Sequence, residues 1–266
     1  MNQLPPLREE FEREGRGADC SIIDLHAHYG PWNGIYFPHA LAEGMLKSMD
    51  RAGVRTAVCS SHSALLDPPR GNEEMAAVVR AHPGRFLAYW AVSPHYVENL
   101  PAELEALASR PEFVGVKLHP SMHNYPLDGE NYAPVFAWAE ATGRPILSHT
   151  WGRDPNCGPA NVRAVAERYP RATLLVGHSC SGQFSEAMAL AREFPHLYLD
   201  LCGIAEHGGL IEKLVAEVGS EKITFGTDLP WFDPHYPIAC LLWSHGLTDD
   251  NRHNILHRNA ERLLGI

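Results

Sequence analysis

The chain has no apolar run long enough to span a bilayer, and its opening segment has no apolar stretch of the kind a secretory leader needs. Arg8, Glu9, Glu10, Glu12, Arg13 and Glu14 fill that segment with charges of both signs, so a cytoplasmic protein with no membrane partner is expected. Basic clusters are missing too. Lys and Arg number 22 against 32 Asp and Glu, and the net charge of −10 disfavours a nucleic-acid partner. The six cysteines contain no CxxC pair, which argues against a disulfide scaffold or a thiolate zinc knuckle and leaves buried, reduced thiols as the expectation. No low-complexity linker or break in composition divides the chain.

What is present is a globular composition, 45% hydrophobic and 20% charged over 266 residues, with an unusual sixteen histidines, many of them on short apolar runs. Eight β-rich runs are expected, at Ser21–His28, Arg55–Ser61, Arg85–Ser93, Phe113–His119, Pro145–Thr150, Thr173–Ser179, Leu197–Gly203 and Lys222–Leu229. Segments of helical period lie between them, at 41–52, 73–82, 102–108, 133–142, 159–169, 185–194 and 210–218. A last helix, Thr248–Leu264, has Thr248 as its N-cap. From His28 to Asp228 is 200 residues over seven intervals, about 29 per β-plus-α unit. This regularity predicts an α/β fold, a single-domain (β/α)8 TIM barrel over residues 21–266 behind an N-terminal extension, 1–20. A doubly wound open sheet is the competitor, disfavoured because no Gly-rich turn follows the first strand.

In such a barrel the loops after the strands gather at one mouth, and function lies there. Three of these loops are long, 29–38, 121–132 and 230–246, and their Trp32, Tyr36, Phe37, Tyr125, Trp231, Phe232 and Tyr236 are candidate walls for a pocket. On the first strand a period of two puts Asp24, His26 and His28 on the barrel-facing side and Ile23, Leu25 and Ala27 toward the helices. Two imidazoles so spaced suit one divalent ion. Other strands end in the same way, with Lys117 and His119 on the fourth, His149 on the fifth, His178 on the sixth and Asp228 on the eighth. Burying so many ionisable groups together is costly without compensation, and a divalent cation supplies it.

With these motifs in place, the chain resembles the amidohydrolase superfamily, in particular its amidohydrolase 2 branch of metal-dependent hydrolases and decarboxylases. The matching text is Asp24-Leu25-His26-Ala27-His28, Val116-Lys117-Leu118-His119-Pro120, His149, Gly177-His178, Gly226-Thr227-Asp228 and Asn259-Ala260-Glu261-Arg262-Leu263-Leu264. The resemblance implies His26, His28, His149 and Asp228 as metal ligands, Asp228 also as proton shuttle, and His178 as the group that orients water or donates to an oxyanion. Asp24 would either fix a ligand's tautomer or serve as a structural acid. In some members a lysine placed like Lys117 is carboxylated and bridges two metals, with the histidines of strands five and six, here His149 and His178, binding the second ion. One ion, most readily zinc, is favoured here over two, which leaves Lys117 as a cation for an anionic substrate or a partner of Asp228. His119 is a ligand, a substrate contact or a buried polar residue. Arg153, just past the fifth strand, is either a clamp for a substrate carboxylate or a surface group paired with Asp154.

The leading expectation is a hydrolase in which metal-activated water, with Asp228 as general base, attacks an amide, ester or lactone of a small molecule. The alternative is a metal-dependent non-oxidative decarboxylase of a small aromatic or enolic carboxylate. A barrel that binds a ligand without turnover is disfavoured by the complete ligand set. Self-association stays open.

Overall fold

The computed structural model describes residues 6–17 and 20–266, so residues 1–5, 18 and 19 of the expected extension lie outside the described residues. The strands are β1 (Ile22–Tyr29), β2 (Val54–Ser61), β3 (Phe86–Ala91), β4 (Phe113–Leu118), β5 (Ile146–Trp151), β6 (Leu174–Ser181), β7 (Leu197–Asp200) and β8 (Ile223–Thr224). They lie in sequence order in one eight-stranded parallel sheet, with helices between them. The chain beyond β8 closes the ring against β1. Leu25 N donates to Phe225 O at 2.9 Å, Asp228 N to His26 O at 2.8 Å and His28 N to Leu229 O at 2.7 Å. The fold is a TIM barrel.

Two local expectations need correction. The eighth strand was expected to run to Leu229, yet only Ile223–Thr224 is regular, because the backbone turns at Asp228 (φ 63°) and the Thr227 N–H bonds to the Asp24 side chain at 3.1 Å. On β1 the strict alternation fails. Ile23 and Leu25 pack in one cluster with Val58, Tyr89, Leu147 and Leu175, and side chains drawn from five strands can meet only inside the barrel. The register against β2 shifts between Asp24 and Ala27, and past that bulge the imidazoles take over the inner face. The strand thus supplies apolar filling at its start and chemistry at its end.

The expected loop 230–246 contains a helix, His235–Trp243, whose apolar run Ile238-Ala239-Cys240-Leu241-Leu242 packs on the barrel. A helix at Pro6–Glu14 buries Leu7 and Phe11, the latter against Trp243 with ring centroids 6.2 Å apart. The final helical stretch starts at the expected cap. Asn251 N donates to Thr248 Oγ1 at 3.2 Å and Thr248 N donates to Asn251 Oδ1 at 3.0 Å, before a π-helical turn over Asn254–Arg258. Among the described residues no helix is long and apolar enough to cross a membrane. All six cysteines are free, and all but the half-buried Cys240 are buried.

Asn259 ties the end of the chain to the barrel. Its fully buried Nδ2 donates to Ser220 O at 2.8 Å and Ile223 O at 2.6 Å. Asn259→Ala strands both carbonyls, at a cost of about 1–3 kcal/mol, and should lower the melting temperature by several degrees. Unchanged thermal denaturation would show that water replaces the amide at no cost.

Candidate metal centre and substrate cavity

At the strand ends three imidazoles are held from behind. His26 Nδ1 lies 2.6 Å from Asp200 Oδ2, His28 Nδ1 3.2 Å from Ser60 Oγ, and His178 Nδ1 2.9 Å from Cys202 O. The Nε2 atoms of His28 and His26 lie 3.2 and 3.9 Å from Asp228 Oδ1. Lys117 Nζ, fully buried, donates to His26 Nε2 at 2.7 Å, which puts that ring's proton on Nδ1, facing Asp200.

Burial dominates the electrostatics. It holds His26, His28 and His178 below the usual imidazole range and pushes Lys117 down to about 8 and Asp200 up to about 8. Burial alone would raise Asp228 as well, but the hydrogen bond with His28 and the charges of His178, His28 and His26 hold it well below the usual carboxylate range. Asp228 is therefore an ionised carboxylate.

Fitting these groups together requires backbone that most residues avoid. His178, Ser179 and Cys180 all have positive φ, at 59°, 48° and 51°. Cys180 N is anchored to Thr150 Oγ1 at 2.9 Å, and Thr150 Oγ1 donates to Gly177 O at 2.6 Å. Gly226 is required by close approach, since a Cβ there would lie 2.5 Å from Asp200 Oδ1 and 2.7 Å from His26 Cβ.

Above this floor opens a cavity of about 410 Å³. His28, His119, His149, His178 and Asp228 form its base, and Trp32, Trp151, Trp231, Leu65 and Met122 form its walls. His119 and His149 stack with centroids 4.1 Å apart. His62 stacks on His28 at 4.9 Å, accepts from Trp231 Nε1 at 3.0 Å and is bonded through Nδ1 to Gly30 O at 2.7 Å.

The structure brings most of the sequence candidates to one place. The ligand atoms within 4.8 Å of one another belong to His26, His178, Cys202 and Asp228, and His28 joins them through Asp228. His149 stands one ring further out, its centroid 4.8 Å from that of His178. Trp32 and Trp231 line the cavity, whereas Tyr36 is 88% exposed and Phe232 and Tyr236 line a separate small recess. Arg153 is exposed, absent from the cavity wall and not paired with Asp154, whose Oδ1 instead accepts Asn156 N at 2.8 Å; the tight turn after β5 points Arg153 outward. Asp24 touches no imidazole. Its Oδ1 accepts His26 N at 3.0 Å and Thr227 N at 3.1 Å, so it braces the seam while Asp200 takes the tautomer-fixing role. The expectation that a neutral His178 donates to an oxyanion also changes: with Nδ1–H committed to Cys202 O, its Nε2 is an acceptor.

Sequence reasoning missed Asp200, Cys202, His62 and Trp151. Asp200 ends β7, so the rule that singled out Asp228, an acid at a strand's C-terminal end, applies to it equally. The donor set fits a divalent ion, because imidazole nitrogens and a carboxylate converge and each ring is oriented by a partner on its other nitrogen.

A family described as amidohydrolase matches residues 23–266. Among solved structures, 2,6-dihydroxybenzoate decarboxylase complexed with 2,6-dihydroxybenzoate is 18% identical with a TM-score of 0.76, over 93% of this chain and 100% of that one. A dihydroxybenzoic acid decarboxylase from a Polaromonas species, with bound manganese and the inhibitor 2-nitroresorcinol, is 17% identical with a TM-score of 0.75, over 92% and 97%. An uncharacterised TIM-barrel protein from Bordetella bronchiseptica is 21% identical with a TM-score of 0.77, over 92% and 98%. These likenesses are of fold. The family match, running from β1 to the last residue of the barrel, makes the chain a member of the amidohydrolase family.

Proposed function

We propose that the protein is a metal-dependent, non-oxidative decarboxylase of a small hydroxylated aromatic carboxylate. The observation that carries this reading is the lining of the cavity, in which Trp32, Trp151, Trp231, Leu65 and Met122 stand beside His28, His119, His149, His178 and Asp228, with His62 stacked on His28. A flat ring fills the space between Trp32, Trp151 and Trp231, and its single anionic end reaches the imidazoles. The barrels of similar fold that act on dihydroxybenzoates support the same choice. Hydrolysis, the leading expectation from sequence, uses the same floor but gives no reason for a slot walled by three indoles.

His26, His28 and Asp228 would hold the ion, with His149 or Cys202 beside them, and one ion is proposed. When bound, it supplies positive charge to the substrate carboxylate and adjacent ring oxygen. Zinc is the ion that the imidazoles favour, and manganese, bound in the Polaromonas decarboxylase, is the alternative.

The protein's own residues account for the proton. His178 Nε2, unprotonated, accepts it from the ring hydroxyl, and the ionised Asp228 beside it stabilises the imidazolium that forms. The ring carbon bearing the carboxylate then takes the proton from His178. The bond to the carboxylate breaks, its electron pair stays on the ring, and carbon dioxide leaves, with one proton consumed overall from solvent.

Metal-loaded protein assayed against hydroxybenzoates and carboxylated methoxyphenols should release carbon dioxide in step with loss of substrate, and in deuterium oxide should leave one deuterium on the carbon that lost the carboxylate. Turnover of esters or lactones without carbon dioxide would sink the proposal. His178→Gln should reduce kcat by about 10²–10⁴-fold while leaving the metal content unchanged. Asp200→Asn replaces one of the two oxygens that accept from His26, His178 and Cys202 with an NH2 donor and should weaken metal affinity by about 10–100-fold, read by chelator competition with circular dichroism unchanged. Equal affinity in the two proteins would remove Asp200 from the account.

A further inference from the structure

Cys20 immediately precedes the β1 region, so it lies at the N-terminal end of the barrel, opposite the cavity mouth. There it meets the last helical stretch. The sulfur of Cys20 and one nitrogen each of His253 and His257 lie within 4.8 Å of one another. The two histidines are four residues apart, a spacing that presents both rings on one helix face, and the π-helical turn over Asn254–Arg258 lies between them. His253 Nδ1 and His257 Nε2 face each other at 3.0 Å. Two nitrogens bound to one tetrahedral ion stand about 3.3 Å apart, given bond lengths of about 2.0–2.1 Å.

Glu261, four residues further on, accepts from His257 Nδ1 at 3.0 Å. That bond fixes the ring's proton on the far nitrogen and leaves the Nε2 lone pair aimed at His253, the arrangement of a ligating histidine backed by a carboxylate. A surface hollow with Glu9, Glu10 and Asp249 on its rim reaches His253 and gives a cation an acidic approach. Arg13 shares this rim but is bonded to Glu14 at 3.0 Å.

We propose that Cys20, His253 and His257 form a second metal site, separate from the catalytic floor, that takes a borderline or soft divalent cation such as zinc. One thiolate and two imidazoles leave a fourth position for water, and the sulfur selects against magnesium and calcium. On binding, Cys20 gives up its proton to solvent and the His253 proton shifts from Nδ1 to Nε2, so that both facing nitrogens turn lone pairs to the ion. The site joins the segment before β1 to the C-terminal helices, so its work is to clip the two ends of the chain together rather than to take part in turnover.

The test uses full-length protein whose catalytic site is already loaded, titrated with cobalt(II) as an optical probe and with zinc. Wild type should take up one further equivalent of metal, show a sulfur-to-cobalt charge-transfer band, and melt about 5 °C or more higher at a hundredfold excess of zinc over Kd. Cys20→Ser should lose the band and the extra equivalent, and the milder, half-exposed His253→Gln should lose the extra equivalent; neither should change carbon dioxide release. A band that survives in Cys20→Ser would assign the thiolate to Cys202 and overturn the proposal. So would equal metal uptake in wild type and both variants.

Discussion

The contact on which the site depends is that between His26 and Asp200, both buried completely at the base of the cavity. A carboxyl group and an imidazole removed from water this thoroughly are tolerated only if almost every polar atom near them finds a partner. Asp200 accordingly also accepts from the N–H groups of His178 and Cys202, and Asp24 accepts from those of His26 and Thr227. The left-handed residues at His178–Cys180 and the lack of a side chain at Gly226 follow from the same constraint, because they let four strand ends crowd onto one hydrogen-bond network. The irregular seam between β8 and β1 is part of it as well.

That network suits the floor to the proposed reaction, in which it holds a cation and moves a proton. Each ring has one nitrogen anchored from behind and the other on the floor, where Lys117 donates to that of His26, Asp228 lies 3.2 Å from that of His28 and that of His178 is an acceptor, so orientation and protonation are set before a substrate arrives. Lys117 already brings a positive charge to His26 Nε2, and the ionised Asp228 faces it across the floor. The walls contribute shape rather than charge. Even His62, at the cavity edge, is kept neutral, its imidazole pushed down to about 3 by burial and the neighbouring His28.

The opposite end of the barrel follows a different economy. There the last helical stretch is fastened by Asn259 to the carbonyls around β8 and by Asp249, which accepts from Leu7 N at 3.3 Å, to the helix that precedes β1. The apolar filling of the barrel, Ile23, Leu25 and Tyr89 among it, separates this end from the catalytic floor. Chemistry at the mouth and fastening at the foot are thus insulated from one another by a dry layer.

The eight-unit barrel and the inventory of strand-end histidines and acids were legible in the chain, because periodicity and residue spacing are local properties. His26, His28, His178 and Asp228 could be named because each closes an apolar run. The bulge in β1, the partnership of Asp200 with His26, the approach of Cys202 and the outward turn of Arg153 were decided only by the folded barrel. Residues 26 and 200 meet because barrel closure brings distant strands together, and which nitrogen of His26 faces the floor depends on a partner 174 residues away along the chain.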